Sequence, residues 1–248
     1  MDYTLIILGA IVVILIYILY TYFSTATNRV ARNLSLSATN TPIKLTNQPS
    51  SYNYTYGIWV YVNTWDTTSP KVIFQRRTDT GTTLHITPYN DQISLHLEKT
   101  NPTLHAYFLL ANNQPLDIVV TNNFPIQAWC FVAISVNQNY VDCYLNGKLV
   151  KSVSVSSSGA TLYPPFANAT VLVGGGTTNI SGSTTESQKF DALITQFTYV
   201  PNSSSPQDVW TTYLKGNGTN PLTSWFTTYG VTVDLTKNGS PANSITLF

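Results

Sequence analysis

The stretch Trp129-Cys-Phe-Val-Ala-Ile-Ser-Val136, Asn137-Gln-Asn139, Tyr140-Val-Asp-Cys-Tyr-Leu145, Asn146-Gly147, then Lys148 to Val155, decides the fold. Alternating runs flank Asn146-Gly147, and an Asn-Gly pair supplies the positive φ that both central positions of a type I′ hairpin turn need. The spacing predicts a three-stranded meander, with Val141, Cys143 and Leu145 on one face and Tyr140, Asp142 and Tyr144 on the other. Pairing Asn137 with Tyr140 sets Cys143 opposite Ile134 and Cys130 opposite Gly147. The cysteines then lie about 13 Å apart at the strand rise, beyond disulfide reach. Both are expected in the core as reduced thiols, which fits a cytoplasm-facing domain.

The period of two continues outward. Tyr56 to Val62 sets Ile58, Val60 and Val62 against Trp59 and Tyr61. Lys71 to Arg77, Thr83 to Thr87, Gln92 to Glu98 and Leu116 to Thr121 read as further strands, separated by Pro, Asn, Asp and Gly clusters. Thr83–Thr87 and Gln92–Glu98 are expected to pair around Pro88-Tyr-Asn-Asp91. Pro206 to Lys215 reads as a short helix with Pro206 near its first turn and Gly216 as its stop. Composition agrees: 36 Thr, 22 Ser and 22 Asn among 248 residues disfavour long helices and suit strands and turns.

The string from Ala128 to Ser152, with the early strand Tyr56–Asn63, resembles the core of concanavalin A-like, laminin G-like jelly rolls. Val171-Leu-Val-Gly-Gly-Gly176 and Phe190 to Tyr199 are similar to that family's closing pair, and a helix after them is usual in it. The resemblance covers roughly residues 49–216 and implies two antiparallel sheets packed face to face. The fold class read here is mainly β, an antiparallel jelly-roll sandwich preceded by a single transmembrane α-helix.

That helix is read from residues 4–23, TLIILGAIVVILIYILYTYF, twenty residues without a charge. At 1.5 Å per residue they make about 30 Å of helix, the thickness of a hydrocarbon core. Its apolar positions are Thr4, Leu5, Ile6, Ile7, Leu8, Ile11, Val12, Val13, Ile14, Leu15, Ile16, Ile18, Leu19 and Phe23, with Tyr17, Tyr20 and Tyr22 crowding one end like an interfacial belt. A cleaved signal peptide is disfavoured, because Asp2 and no Lys or Arg precedes the run and the run is too long. Arg29, Arg32 and Lys44 follow the helix, so the positive-inside rule places the C-terminal domain on the cytoplasmic side. The chain divides into a flank (1–3), the helix (4–23), an extended Ser/Thr/Asn-rich linker with Pro42 (24–48), the sandwich with its helix (49–216), and a tail (217–248) with Trp225-Phe226 and a possible strand from Tyr229 to Leu235.

Charge excludes some functions. Twelve Lys and Arg against eleven Asp and Glu give a net charge of +1, and only 9% of residues are charged, so no basic field exists for nucleic acid. Glycoside hydrolysis needs two carboxylates. The retaining glucanases of this fold place acids at i, i+2 and i+5 on one strand, and neither Glu98 nor Glu186 has them. His85, His96 and His105 lack metal-ligand spacing. Asp79, Asp91 and Asp117 show no clustered pair for calcium. Gly174-Gly-Gly176 lacks the Lys-Ser/Thr and helix of a phosphate loop. Trp59, Trp65, Trp129, Trp210 and Trp225 lie in or beside apolar elements and are read as packing residues.

No catalytic residue, metal site or cofactor is therefore expected, and the chain is read as a non-enzyme. The architecture and composition resemble membrane-anchored minor capsid proteins of large icosahedral DNA viruses, which implies a structural protein of the virion's internal membrane and capsid. Its partners are then the lipid bilayer and neighbouring structural proteins, with the loops Thr64–Pro70 and Thr177–Gln188 as contact surfaces. The alternative is a membrane-anchored carbohydrate-binding or adhesion module, with a glycan as partner and an exported domain.

Overall fold

The computed structural model describes residues 9, 11–18, 29–38, 43–45, 52–68, 71–77, 91–164, 169–174, 177–180, 184–187, 190–218, 232–237 and 240–246. Two antiparallel sheets form a sandwich. The seven-stranded sheet has the order β1 (Arg29–Ala31), β15 (Ala192–Val200), β4 (Tyr54–Val62), β9 (Trp129–Val136), β10 (Tyr140–Leu145), β11 (Lys148–Ser154), and β2 (Leu34–Ser35) also pairs with β15. The six-stranded sheet has the order β3 (Ile43–Lys44), β12 (Thr170–Val173), β5 (Lys71–Arg77), β6 (Asp91–Leu97), β7 (Leu104–Leu109), β8 (Pro115–Thr121). Two separate hairpins pair β13 (Thr177–Ile180) with β14 (Thr184–Ser187) and β16 (Thr232–Lys237) with β17 (Ser240–Thr246).

The meander forms in the expected register, with Cys143 opposite Ile134 and Leu145 opposite Val132. Asn146 and Gly147 take φ of 48° and 77°, and the Asn146 side chain accepts the Phe131 backbone N–H at 2.9 Å. Cys130 and Cys143 are free and buried, and burial pushes both thiols up to about 12. In β4 the inward residues Tyr54, Tyr56, Ile58, Val60 and Val62 join the main core, while outward Trp59 enters a second cluster beneath the C-terminal helix α2 (Pro206–Leu214). Burial on both faces explains why this strand is apolar on both. The core also encloses Arg76, whose guanidinium donates to the Tyr56 hydroxyl at 3.3 Å.

Two expectations are corrected and one strand is added. Residues 24–48 do not form only a spacer: β1 and β2 pair with β15, and β3 pairs with β12, so this segment supplies strands to both sheets. Short apolar pairs such as Val30-Ala31 and Ile43 suffice, because each needs to cover only one exposed edge. β6 does not pair with Thr83–Thr87, since β5 and β7 occupy both its edges; Thr83–Thr87 itself lies outside the described residues. β7, over Leu104–Leu109, was not anticipated from the sequence.

α1 is helical at residues 11–18, and Gly9 is helical as well. Among the described residues no helix is long and apolar enough to cross a membrane. The rest of the expected span, including Thr4, Leu5, Ile6, Ile7, Leu8, Leu19 and Phe23, lies outside the described residues, as does Trp225.

The strands run between two ends. At the lower end lie the Asn137–Asn139 turn and the connections 110–114, 155–164 and 201–205; at the upper end lie the Asn146-Gly147 turn and the connections 63–68, 98–103 and 122–128. β1 runs antiparallel to β15 with Arg29 opposite Thr198, so the chain reaches the sandwich from the lower end.

Candidate functional site

Two constellations stand on the outer faces of the sandwich. The first is built by α2. Ser205 and Asp208 form a capping box at its start, which fixes where the helix begins. The Ser205 hydrogen bonds hold the Asp208 carboxyl below the usual range. The preceding loop is pinned to the sheet, where the Ser204 N–H reaches the hydroxyls of Thr55 and Ser135 at 2.9 Å each. The helix lies across the seven-stranded sheet: Tyr213 stacks on Trp59 with centroids 5.5 Å apart, Val209 is buried, and Trp210 sits over Gly147.

Beside this contact a cleft opens, lined by Trp59, Phe131, Gln196, Thr198, Thr212, Lys215 and Gly216. Gln196 reaches it through a β-bulge. The pairing of β15 with β4 shifts between Thr195 and Thr198, and Gln196 takes φ of 47°, the left-handed region. Bulges re-aim side chains in this way. The carboxamide lies against Gly218, where a Cβ would come 2.2 Å from Gln196 Nε2. Thr198 and Thr212 donate their hydroxyl protons to the carbonyls of Gly57 and Asp208, so each oxygen can act toward a further group only as an acceptor. The edges of two buried rings, an amide, two hydroxyl oxygens and the exposed Lys215 line a cavity of about 60 Å³, far smaller than a usual ligand pocket and open to a small polar group. Nothing in the sequence marks Gln196, because a left-handed residue inside a strand leaves no local pattern.

The second constellation crosses β6, β7 and β8 on the outer face of the six-stranded sheet. The rings of His96, His105 and Tyr107 stack, with centroids 4.5 Å apart for His96–Tyr107 and 5.3 Å for His96–His105. His105 meets Asp117 at 2.8 Å through Nδ1 and Glu98 at 3.1 Å through Nε2. The hydrogen bond to Asp117 raises its pKa, against burial, with Glu98 adding to the rise. His96 is driven the other way, to about 3, by burial and by the neighbouring His105. Burial lifts Tyr107 to about 12. The group thus sets one imidazole between two carboxyl groups that favour its protonated form beside a second imidazole that burial keeps neutral. On the same face the Gln92 carboxamide is buried and makes no hydrogen bond.

The structure thus brings His96, His105, Glu98 and Asp117 together; His85 and Asp79 lie outside the described residues, as do the side chains of Asp91 and Glu186. Among the described residues no group of three or more His, Cys, Asp or Glu side chains could hold a metal ion. At the upper end Trp65 packs under the buried Lys71, whose ammonium lies 4.4 Å from the ring and donates to the Asp66 carbonyl at 2.6 Å. That contact fixes the 63–68 connection. Of the expected anchor, Ile11, Val12, Val13, Ile14, Leu15, Ile16 and Ile18 are all exposed on α1. Arg32 and Lys44 are exposed, on the β1–β2 connection and on β3, and Arg29 opens β1.

The family model for the concanavalin A-like lectin/glucanase superfamily, of laminin G type, matches residues 37–210. No curated protein matches the chain in sequence. Among solved structures, the ligand-binding domain of botulinum neurotoxin serotype D in complex with N-acetylneuraminic acid is 16% identical with a TM-score of 0.53, over 74% of this chain and 42% of the neurotoxin chain. Another structure of the serotype D binding domain gives 19% identity and a TM-score of 0.52, and the receptor-binding domain of the C/D mosaic serotype gives 15% and 0.53, both with the same coverage. At these identities the likeness is one of fold, and this chain spans less than half the length of those domains.

Proposed function

Because the chain belongs to the concanavalin A-like lectin/glucanase superfamily, a fold that hosts many unrelated roles, we propose from its own residues that it is a non-enzymatic, membrane-anchored jelly roll acting as a structural component of a protein assembly. The observation that carries this reading is α1: its residues from Ile11 to Ile18 are apolar or aromatic and exposed, within a run of twenty residues lacking a charge. A helix apolar on every face needs lipid around it. Residues 29–31, 34–35 and 43–44, which follow that run in sequence, pair into the two sheets, so an anchor there is followed closely by the sandwich. A surface rich in Thr, Ser and Asn loses little solvation of charge when neighbours cover it. This is the design of a minor capsid protein that links an internal membrane to a shell, with the domain on the cytoplasmic side.

The test is protease accessibility in sealed vesicles whose cytoplasmic face is outward. Digestion of the domain without detergent supports the reading; protection until detergent is added removes it. The second reading, a glycan-binding module on the exported side, draws support from the Trp59 cleft and from the N-acetylneuraminic acid bound by the serotype D domain. Glycan-array binding by the wild-type chain, lost in Trp59→Ala, would favour it.

A further inference from the structure

The seven-stranded sheet ends in β11, which has β10 on one side and, among the described residues, no strand on the other. Its residues Lys148 to Ser152 are exposed in succession. The Val155 N–H donates to the Asn139 carbonyl, so by the antiparallel alternation the backbone groups of Val153 and Lys151 face β10 and those of Ser152 point away from it. An edge of this kind is a template for another strand. The nearby edge of the other sheet, β8, opens with Pro115, whereas β11 holds no proline.

The two faces of this edge differ. Lys148 stands opposite Leu145 and Lys151 opposite Cys143, both core-facing residues of β10, because the register shifts by one extra residue, Val150, between them. The two lysines therefore share the face turned toward the six-stranded sheet. Leu149 stands opposite Tyr144, on the face that carries α2. Val209 and Tyr213 hold that helix to the sheet, so Trp210 and Leu214, one turn apart, share its flank, and Trp210 lies over Gly147 at the head of β11. Leu149, Trp210 and Leu214 are 49%, 36% and 64% exposed. On the neighbouring strand the Asp142 carboxylate already accepts the Ser152 hydroxyl. The edge thus offers apolar surface on one face and two exposed ammonium groups on the other.

We propose that β11 receives an extended acidic segment of a neighbouring protein, which adds a strand to the seven-stranded sheet. Its aliphatic side chains lie against Leu149, Trp210 and Leu214, and the carboxylates that alternate with them meet Lys148 and Lys151. The proposal deepens the assembly reading above and rests on it for the existence of a neighbour. Main-chain hydrogen bonds along the edge supply affinity, and the alternation of the added strand supplies specificity. Charge names the occupant. A second copy of this edge would add two more lysines to the same seam, the repulsion by which edge strands keep apart, whereas a strand with carboxylates at alternate positions complements both lysines.

The test uses the full chain in detergent micelles and two fluorescent synthetic peptides of the same composition, one alternating Glu with Val and one with its Glu and Val in separate blocks. Anisotropy should show saturable binding of the alternating peptide, weakened about ten-fold or more by the double variant Lys148→Glu, Lys151→Glu, whose side chains are exposed. Ser152→Pro, which removes a backbone donor that points away from β10, should weaken it likewise. Circular dichroism checks the fold of both, and the double variant alone decides where the proline disturbs the ladder. No saturable binding, equal binding of the two peptides, or binding unchanged in a folded variant overturns the proposal. A chain that dimerises, and loses the dimer in Ser152→Pro, overturns it in favour of a second copy. The membrane takes no part in these measurements, so the vesicle protease test of the assembly reading is decided separately.

Discussion

His105 on β7 donates from Nδ1 to the Asp117 carboxylate on β8 at 2.8 Å. Its Nε2 faces the Glu98 carboxyl, so both ring nitrogens face acceptors and folding favours the protonated ring. A group whose pKa is raised by folding stabilises the fold fully below its unfolded value, near 6.5, and that contribution is lost as pH rises through the folded value. Asp117→Asn should therefore cost about 1 kcal/mol at pH 5.5, a figure held low by the partial exposure of the carboxylate, and almost nothing at pH 9. Urea unfolding at the two pH values checks this; an equal loss at both would sink it.

His96 works in the opposite direction. Its pKa falls on folding, so the unfolded chain binds the extra proton and stability drops as pH falls from about 6.5 toward 3. His105, Tyr107 and Asp117 surround it, and only Asp117 favours its protonation. His96→Phe should flatten the acid limb of the stability curve, gaining roughly 2 kcal/mol over wild type at pH 4.5 relative to the difference at pH 7. Parallel curves for the two proteins would contradict the assignment.

Gly147 combines a φ of 77° with a Trp210 ring carbon 2.6 Å from where a Cβ would stand. Gly147→Ala should cost about 2–4 kcal/mol, the sum of left-handed strain and overpacking against α2. The near-ultraviolet circular dichroism of Trp59 and Trp210 should change with it. A variant of wild-type stability would show that α2 can shift freely on the sheet.

Cys130 and Cys143, with thiols pushed up to about 12, should be inert to a thiol reagent at pH 8 in the native state and react together on unfolding. Mass spectrometry of the labelled chain reads this. Labelling of either residue without denaturant would place it outside the core.

Gln196→Gly separates strain from contact. Removing a left-handed glutamine relieves about 1 kcal/mol, offset in part by glycine's greater freedom when unfolded. The variant should match or slightly exceed wild-type stability by urea titration, while any ligand held by the carboxamide in the cleft is lost. A large destabilisation would mean that the side chain supports the bulge.

The meander was legible because its turns mark themselves: the Asn137–Tyr140 pairing fixes the register of β9 with β10 and the alternation assigns each face, while the shift of β10 against β11 between Cys143 and Tyr144 left no mark in the pattern. Lys71–Arg77 was read to the residue because Pro70 before it and Thr78-Asp79 after it mark its ends. β7 was not, since Leu104–Leu109 is apolar at nearly every position and follows Pro102 in a segment without a marked turn. β1, β2 and β3 escaped because two or three paired residues carry no period, and their partners lie far along the chain. The candidate sites were less legible still. The resemblance pointed to the fold, but the His96–His105 stack depends on which strands adjoin β6, and the cleft depends on a bulge.

The pairing of β1 and β2 with β15 also sets an order of events in synthesis. Arg29 leaves the ribosome early, and its partner Thr198 follows only when most of the chain has been made. Until then the seven-stranded sheet has an open edge along β4, and the contacts that close it are among the most remote in sequence, the kind that form slowly. A membrane helix inserted first would hold one side of this seam in place while the other is translated, so that the bilayer would act as a jig for folding as well as an address for the finished protein.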